Sequence, residues 1–310
     1  MILVAGSANL DYVVRAPHIP APGETVLGHD FRTWPGGKGA NQAAACRKAG
    51  GHTTHMLLAL GHDAQALTIE NSLSEAGVHL HRVLVTDAAT GTAFICVDEH
   101  GENAITVAPG ANSHLRAEHL PALDGYSHLM LQLEIPMDTV LAYARAAHAH
   151  GVKVVLNVAP AHPLPPELLQ LVDILLVNEG ELATLAGTQG SIAQQLQRLA
   201  VPCVVVTLGS RGCCAKVNGA LSTQAAFPIT PVDSTGAGDT FCGVLVARLA
   251  QGHAMGDALR HASAAGALKC LKPGAQSGIP TAVEVELFLA RQPHTASEAD
   301  AALRAYCGIA

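Results

Sequence analysis

Short apolar runs alternate with helical patterns through most of the chain. Runs rich in Val, Ile and Leu predict strands, at residues 2–5, 56–60, 128–133, 152–157, 174–178 and 203–208. Segments between them predict helices, at residues 38–49, 64–76 and 136–150. Proline at a helix start and glycine after its end mark several of these boundaries. The alternation predicts an α/β fold with a mainly parallel central sheet and helices on both faces.

Two regions interrupt this alternation. Residues 11–35 contain scattered polar positions and hold Pro17, Pro20 and Pro22, while residues 92–98 and 103–107 flank a Glu-His-Gly-Glu turn that is typical of a β-hairpin. We expect these pieces to pair as a small sheet that stands off the main one. The last residues, 292–310, are rich in Ala and predict a helix. No linker divides the chain, so we expect a single domain over residues 1–310.

Composition and charge narrow the possible functions. Hydrophobic residues make up 49% of the 310 residues and charged residues 14%, which is typical of a globular protein. The net charge is −7 and no Lys/Arg run occurs, so we expect no nucleic-acid partner. The first apolar run is broken at Gly6-Ser7 and lacks a preceding basic region, and no apolar stretch reaches about 18 residues. We therefore expect neither a signal peptide nor a membrane partner.

Cysteine and histidine are frequent but do not form metal-binding patterns. The eight cysteines include no C-x-x-C pair, and several lie inside apolar runs, so we interpret them as reduced thiols of a cytoplasmic protein. The 17 histidines include the pairs His79/His81 and His148/His150, but no carboxylate or third histidine stands at ligand spacing. We interpret these four histidines as surface residues.

The most informative stretch is Asp-Ser-Thr-Gly-Ala-Gly-Asp-Thr-Phe, residues 233–241, ahead of an apolar helix. The amides of Gly236, Ala237 and Gly238 at a helix start can form an anion hole suited to phosphate. Asp239 can accept the proton of an attacking hydroxyl, as phosphoryl transfer requires. An ordinary glycine turn followed by an Asp explains the same residues, and the stretch alone does not decide between the two.

Three further stretches lie where α/β proteins bind ligands. Residues 36–39 read Gly-Gly-Lys-Gly ahead of a helix, and they are not a Walker A loop because glycine follows Lys38. A Thr-Leu-Gly-Ser-Arg-Gly turn, residues 207–212, follows a buried strand, and ligands sit at such strand ends. Asn178 and Glu181 also follow a strand, where they can reach a magnesium–phosphate unit.

Together these motifs resemble the ribokinase family, the PfkB-type carbohydrate kinases. Residues 36–43 and 233–241 are similar to the two family signatures, and Asn178-x-x-Glu181 and residues 207–212 to its Mg/phosphate and nucleotide motifs. The resemblance extends from Gly6 to about Phe288. It implies a ribokinase-like three-layer sandwich with a β-sheet lid over the sugar, built from segments at about 11–35 and 92–110. It also implies a homodimer through the lid.

The resemblance implies ATP-dependent phosphorylation of D-ribose at the 5-hydroxyl, which gives ribose 5-phosphate and ADP. It makes Asp239 the base and the residues 236–238 the anion hole. The sugar-binding positions that it implies are Asn9, Asp11, Gly37, Lys38, Asn41, Glu134 and Asp239. The nucleotide-binding positions are Asn178, Thr207, Gly209, Gly212, Gly238 and Ser263. Ser263 is smaller than the polar residue that the family often has near the adenine.

The resemblance also implies two metal ions, Mg²⁺ near Glu181 and K⁺ beside the anion hole. The positions that it implies for K⁺ are Asp233, Thr235, Lys269, Lys272, Gly274 and Gly278. Most would contribute backbone carbonyls, which do not depend on the side chain. Gly278 lacks the side-chain oxygen typical of this loop, so Ser277 or water would have to replace it. We expect activation by K⁺ rather than Na⁺, with weakened cation binding.

Other functions stay open at this point. The nearest alternative is a related kinase that acts on deoxyribose, another sugar or a nucleoside; the 3% content of aromatic residues weighs against a nucleoside-base pocket. A non-catalytic sugar- or nucleotide-binding regulator would not need Asp239. A dinucleotide-dependent oxidoreductase would need G-x-G-x-x-G after the first strand, and residues 6–9 do not supply it.

Overall fold

A computed structural model describes residues 1–292 and 298–309 of the chain. Its strands are β1 Ile2–Ala5, β2 Asn9–Arg15, β3 His29–Gly36, β4 Thr54–Gly61, β5 His79–Val85, β6 Gly91–Val97, β7 Asn103–Ala108, β8 His128–Leu131, β9 Lys153–Asn157, β10 Ile174–Asn178, β11 Cys203–Thr207, β12 Gly212–Val217 and β13 Ala220–Ala225. Its helices are α1 Lys38–Lys48, α2 Ala64–Glu75, α3 Met137–Ala149, α4 Pro166–Leu171, α5 Glu179–Ala186, α6 Ile192–Arg198, α7 Ala237–Ala250, α8 Met255–Lys269, α9 Ala282–Leu289 and α10 Glu298–Cys307.

These strands form two sheets. The main sheet has the order β13-β12-β11-β10-β9-β8-β1-β4-β5, and the small sheet has the order β3-β2-β6-β7. In the main sheet all neighbours from β11 to β5 are parallel, whereas β12 and β13 run antiparallel at one edge. In the small sheet β2 pairs with β6 in parallel and each outer pair is antiparallel. The predicted α/β fold with a small extra sheet is confirmed.

Helices cover both faces of the main sheet because its strands are apolar on both sides. Successive side chains of a strand point to opposite faces. In β1, Ile2 and Val4 therefore pack in one core with α1, α2, α7, α8 and α9, while Leu3 and Ala5 pack in a second core with α3, α4, α5, α6 and α10. The result is a three-layer sandwich. Within the described part of the chain, no helix has both the length and the apolar character needed to cross a membrane.

Most predicted elements are present, with ends that differ by a few residues. Strand β10 has the predicted bounds, and α1 and α2 begin at the predicted residues. Strands β5, β12 and β13 were not predicted. His81, which we interpreted as a surface residue, is half-buried in the edge strand β5, where it lies 3.1 Å from both a ring nitrogen of His55 and the hydroxyl of Tyr126. The predicted C-terminal helix is present as α10, and its residues 293–297 and 310 lie outside the described residues.

Close packing of α1 against α7 brings the two signature stretches together. A Cβ atom at Gly243 in α7 would lie 2.6 Å from the carbonyl oxygen of Gln42 and 2.7 Å from the Cβ of Ala45. Only glycine allows this approach of the two helices. Because α1 begins at Lys38 and α7 begins at Ala237, the first turns of both helices lie side by side at the carboxyl ends of the parallel strands.

Candidate active site

Asp239 lies in the first turn of α7, which Gly236 caps in the left-handed conformation with a φ of 75°. Its two carboxylate oxygens accept hydrogen bonds from adjacent residues of α1. Oδ2 accepts from Nδ2 of Asn41 at 3.0 Å, and Oδ1 accepts from Nε2 of Gln42 at 2.9 Å. These two bonds fix the plane of the carboxylate, and each oxygen keeps a further lone pair for a ligand.

A chain of buried side-chain amides stands behind this carboxylate. Nε2 of Gln42 also donates to Oδ1 of Asn157 at 2.9 Å, and Oε1 of Gln42 accepts from Nε2 of Gln132 at 2.6 Å. Nδ2 of Asn157 in turn donates to the carbonyl of Leu176 at 3.1 Å. Our sequence analysis did not select Gln42, Gln132 or Asn157. A signal was present, because these polar residues stand in or beside otherwise apolar runs.

The start of α7 offers a site for an anion. The first amides of a helix have no carbonyl partner within it and carry partial positive charge. Of the three amides predicted to form the anion hole, that of Ala237 donates to the carbonyl of Ser234 at 3.1 Å in this conformation. A Cβ atom placed on Gly238 would meet no atom within 4 Å. Open space therefore lies beside Gly238 at the positive end of the helix, which suits a phosphate group.

A cavity of about 180 Å³ connects this helix start to the strand ends. Its walls come from α1, α5, α7 and the carboxyl ends of β9, β10 and β11. The lining residues are Lys38, Asn157, Ala159, Val177, Asn178, Glu181, Thr207, Gly236, Gly238, Asp239 and Cys242. The structure thus brings together seven predicted site residues from four separate sequence stretches.

Lys38 and Glu181 bring opposite charges to this cavity. Burial acts to lower the pKa of Lys38, but the carboxylates of Asp239, Glu134 and Glu181 outweigh it and the pKa is raised. Burial raises the pKa of Glu181 against the opposing effects of the Asn178 amide and Lys38. Asn178 and Glu181 cap α5 reciprocally, with side chain to amide distances of 2.7 and 2.8 Å. This capping box fixes where the Glu181 carboxylate stands.

The predicted sugar-binding residues gather on the side of Asp239 nearest the small sheet. Oε2 of Glu134 accepts hydrogen bonds from the Ser7 hydroxyl at 2.5 Å and from the Lys38 amide at 3.1 Å. Oδ1 of Asn9 accepts from Nδ2 of Asn112 at 2.8 Å. Ser7 and Asn112, both buried, are further residues that sequence reasoning missed. They hold the predicted residues in place from behind.

Asp11, in β2, is a buried carboxyl group with 7% of its surface exposed. Burial, together with the negative charges of Glu134 and Asp239, raises its pKa to about 7, although Lys38 opposes this. Glycine beside it provides the space, because a Cβ atom on Gly36 would lie 2.1 Å from Oδ2 of Asp11. Ligand hydroxyls that donate to this carboxyl group would provide the hydrogen-bond partners that burial withholds.

Residues predicted to hold the nucleotide divide into two groups. Thr207 lines the cavity, and a Cβ atom on Gly209 would meet nothing within 4 Å, so both stand at open space. Gly212 has a φ of 121° and its Cβ would lie 2.1 Å from the carbonyl of Gln224, so pairing of β12 with β13 already requires glycine. The hydroxyl of Ser263, in α8, lies 3.8 Å from the sulfur of Cys213 in β12. Ser263 is not among the cavity-lining residues.

The predicted cation loop contains a buried lysine side chain. Asp233 accepts hydrogen bonds from the amides of Thr235 and Gly274, at 2.9 and 2.8 Å. The ammonium of Lys269 lies 2.9 Å from the carbonyl of Asp233, 3.4 Å from the carbonyl of Lys272 and 3.8 Å from Oδ2 of Asp233. A potassium ion does not fit this arrangement, because a positive group already lies among the oxygens that would bind it.

Comparisons show which known proteins this chain is similar to. The model of the pfkB family of carbohydrate kinases matches residues 1–282. Ribokinase of Haemophilus influenzae is 37% identical over 300 residues, and the match covers 93% of this chain and 98% of that protein. Ribokinase of Bacillus subtilis is 37% identical over 293 residues, and the match covers 93% of this chain and 99% of that protein. The structure of Arabidopsis thaliana ribokinase complexed with ribose and ATP has a TM-score of 0.84 at 33% identity, with 94% of this chain and 99% of that chain covered. Ribokinase of Thermotoga maritima gives the same TM-score and coverage at 34% identity.

Proposed function

Because the chain belongs to the pfkB family of carbohydrate kinases, we propose that the site around Asp239 carries out the reaction of this protein, ATP-dependent phosphorylation of D-ribose. The chain transfers the terminal phosphoryl group of ATP to the 5-hydroxyl of ribose and releases ADP. One observation carries the assignment of the site. The side-chain amides of Asn41 and Gln42 in α1 donate to the Asp239 carboxylate at the positive start of α7. This carboxylate lies in a cavity that Lys38 also lines.

The chemistry follows from this placement. Asp239 takes the proton of the 5-hydroxyl as its oxygen forms a bond to the terminal phosphorus, and the bond from phosphorus to the ADP oxygen breaks. The amides at the start of α7, with Gly238 at their open side, stabilise the negative charge that spreads over the transferred group. Asn41 and Gln42 keep the carboxylate aligned. General base catalysis of this kind contributes about 10²–10⁴-fold in rate.

Ribose recognition is assigned to residues on the small-sheet side of Asp239. Oδ1 of Asn41 is buried and has no hydrogen-bond partner in the described structure, although its Nδ2 donates to Asp239. An unpartnered buried oxygen is stabilised when a ligand hydroxyl donates to it. The Asp11 carboxylate can accept from two neighbouring hydroxyls. The sugar contacts proposed are Asn9, Asp11, Gly37, Lys38, Asn41, Glu134 and Asp239.

The nucleotide is assigned to the strand-end side of the cavity, and the contacts proposed for it are Asn178, Thr207, Gly209, Gly212, Gly238 and Ser263. Among the described residues, no group of three or more His, Cys, Asp or Glu could hold a metal ion. Mg²⁺ would therefore take most of its ligands from phosphate oxygens and water, as this ion usually does. Glu181, which lines the cavity, is the residue proposed to anchor it, and the ion would offset phosphate charge.

The small sheet is proposed to act as a lid and as the contact between two copies in a homodimer. Its Phe31 and Phe94 side chains are 63% and 55% exposed, and the ring of Tyr12 stacks on both, with centroids 6.0 and 5.6 Å apart. Exposed apolar patches of this kind mark interaction surfaces. We also propose a cytoplasmic location, because ATP is the phosphoryl donor.

A coupled ADP-release assay over pentoses, hexoses and nucleosides tests the proposal. We expect D-ribose to give the highest kcat/KM and the product to be ribose 5-phosphate by ³¹P NMR. 2-Deoxyribose should be roughly 10–100-fold poorer, since one buried polar group then loses its partner. A higher kcat/KM for another sugar or a nucleoside would assign the chain to a related kinase. Tight ribose binding without ADP release would instead indicate a binding protein.

A further inference from the structure

Lys269 is a buried cation that the proposed reaction does not use. It is the last residue of α8, and none of its surface is exposed. An ammonium group has three donors and no acceptor, so it needs oxygen partners when it is buried. Two backbone carbonyls and the carboxylate of Asp233 are those partners. Burial lowers the pKa of Lys269 and the charge of Asp233 opposes this, so each group favours the charged form of the other.

Gly278 provides the space for the lysine side chain. A Cβ atom on Gly278 would lie 3.0 Å from Cε of Lys269, 3.0 Å from the carbonyl of Lys272 and 2.9 Å from that of Gly274. A larger residue at 278 would therefore press on the lysine stem. The hydroxyl of Ser277 donates to the carbonyl of Pro273 at 2.9 Å, which fixes its proton away from the Lys269 ammonium. The lysine at 269 and the glycine at 278 thus form one steric unit.

We propose that the ammonium of Lys269 permanently replaces a monovalent cation, and that this kinase is active without K⁺. The group carries the same single positive charge and is satisfied by the same carbonyl and carboxylate oxygens. It also reaches both sides of the loop, from Asp233 to Lys272. The expectation of K⁺ activation, which considered only the carbonyl of Lys269, is replaced by this inference.

Lys269 acts on the reaction as a positioning residue. It neutralises Asp233, whose Oδ1 accepts from the amide of Thr235 immediately before the cap of α7. The inference therefore rests on the proposed function of that helix start as the anion site. Without a positive charge here, the Asp233 carboxylate would face the incoming phosphates unpaired, which costs free energy in a partly buried site.

The test compares wild type, Lys269→Ala and Lys269→Met in tetramethylammonium buffer, titrated with KCl and separately with NaCl at constant ionic strength. We expect wild type to be fully active without K⁺ and unresponsive to it. Lys269→Ala should lose about tenfold or more in kcat and regain activity with KCl more than with NaCl, because a vacated space admits the ion. Lys269→Met should lose activity without rescue, because its stem still fills the space. Lys153→Ala, at an exposed lysine of β9, is the control.

Thermal unfolding gives a readout that is independent of turnover. KCl should raise the Tm of Lys269→Ala but not that of wild type or Lys269→Met. Adding Gly278→Ser to Lys269→Ala should lower the KCl concentration needed for half of the effect. Stronger activation of wild type by K⁺ than by Na⁺, or a Lys269→Ala variant whose activity and Tm both ignore K⁺, would overturn the inference. A wild type that phosphorylates no sugar would refute the proposed function instead, and the Tm series would still decide on Lys269.

Discussion

One amide group, Nε2 of Gln42, donates to Oδ1 of Asp239 and to Oδ1 of Asn157, with both distances 2.9 Å. The first partner lies in α7 and the second at the end of β9, so a single residue of α1 connects the base to the central sheet. Gln42 is fully buried. The position of the carboxylate therefore depends on the core as well as on its own helix.

Replacing this residue should damage activity and stability together. Gln42→Leu keeps the size of the side chain but removes the hydrogen bonds of Gln42 with Oδ1 of Asn157 and Nε2 of Gln132. Each buried polar atom left without its partner costs about 1–3 kcal/mol of unfolding free energy. We expect kcat to fall by about tenfold or more with little change in the KM for ATP. Urea unfolding and steady-state kinetics measure the two effects. Gln197→Leu, on the exposed face of α6, is the control, and an unchanged kcat would refute the positioning role.

Removal of the base should act chiefly on the chemical step. Asp239→Asn preserves the shape but cannot accept the proton, so kcat should fall by about 10²–10⁴-fold. Ribose and nucleotide binding, measured by calorimetry, should remain within a few-fold of wild type. Asp124→Asn, at an exposed position, controls for the loss of one negative charge. An Asp239→Asn enzyme that keeps more than about a tenth of the wild-type kcat would exclude this residue as the base.

Gly238→Ala tests the anion site without disturbing the fold. The added methyl group would meet no protein atom within 4 Å, and the same is true of Gly256 in α8. Alanine also favours helices over glycine by about 1 kcal/mol, so neither variant should lose stability. We expect Gly238→Ala alone to raise the KM for ATP or lower kcat, because its methyl group occupies space meant for phosphate. Equal kinetics for the two variants would show that no phosphate lies there.

The raised pKa of Asp11 predicts a pH-dependent stability. Its ordinary value is 3.8 and its folded value is about 7, because of burial and then the charges of Glu134 and Asp239. Between these values the folded protein binds more protons than the unfolded chain, so this group makes stability fall as pH rises through the window. The fall should be roughly 2–4 kcal/mol.

Urea unfolding at pH 5 and pH 8 measures this effect. Asp11→Asn should remove that part of the pH dependence and be more stable than wild type at pH 8. Because the ionised carboxylate is the better acceptor of two hydroxyls, the KM of wild type for ribose should rise as pH falls below about 7. Identical pH slopes in the two proteins would show that Asp11 is not perturbed.

The main sheet was predictable because its parallel strands are buried on both faces and their apolar runs are continuous. Strand β5 was not predicted because its polar residues interrupt the apolar run, as they do in exposed segments. Residues 11–35 were expected to contribute to the small sheet, but the first five residues of β3 are exposed and the strand contains Pro35, so periodicity and composition did not indicate its bounds. Its pairing with β2 depends on long-range contacts that local sequence does not encode.

The site was predictable where glycine and charge cluster in the chain, as at 36–39 and 233–239. It was not predictable where a buried side chain supports a site residue through a hydrogen bond. Ser7, Gln42 and Asn112 each support a functional residue distant in sequence. The direction of the Lys269 side chain was not predictable either. The sequence shows that residue 269 has a backbone carbonyl available to the loop, but it does not show that the ammonium of the same residue lies there.

The small sheet is attached to the main sheet at the residues assigned to the sugar. Only Gly6, Ser7 and Ala8 separate β1 from β2, which begins at Asn9, and only Gly37 separates β3 from α1. The sheet has no slack hinge of its own, so any rotation of it must carry Asn9 and Asp11 along. If the small sheet acts as the proposed lid, the residues proposed to contact the sugar lie where that lid moves, and a substitution that changes sugar preference would also change the rate at which the pocket opens.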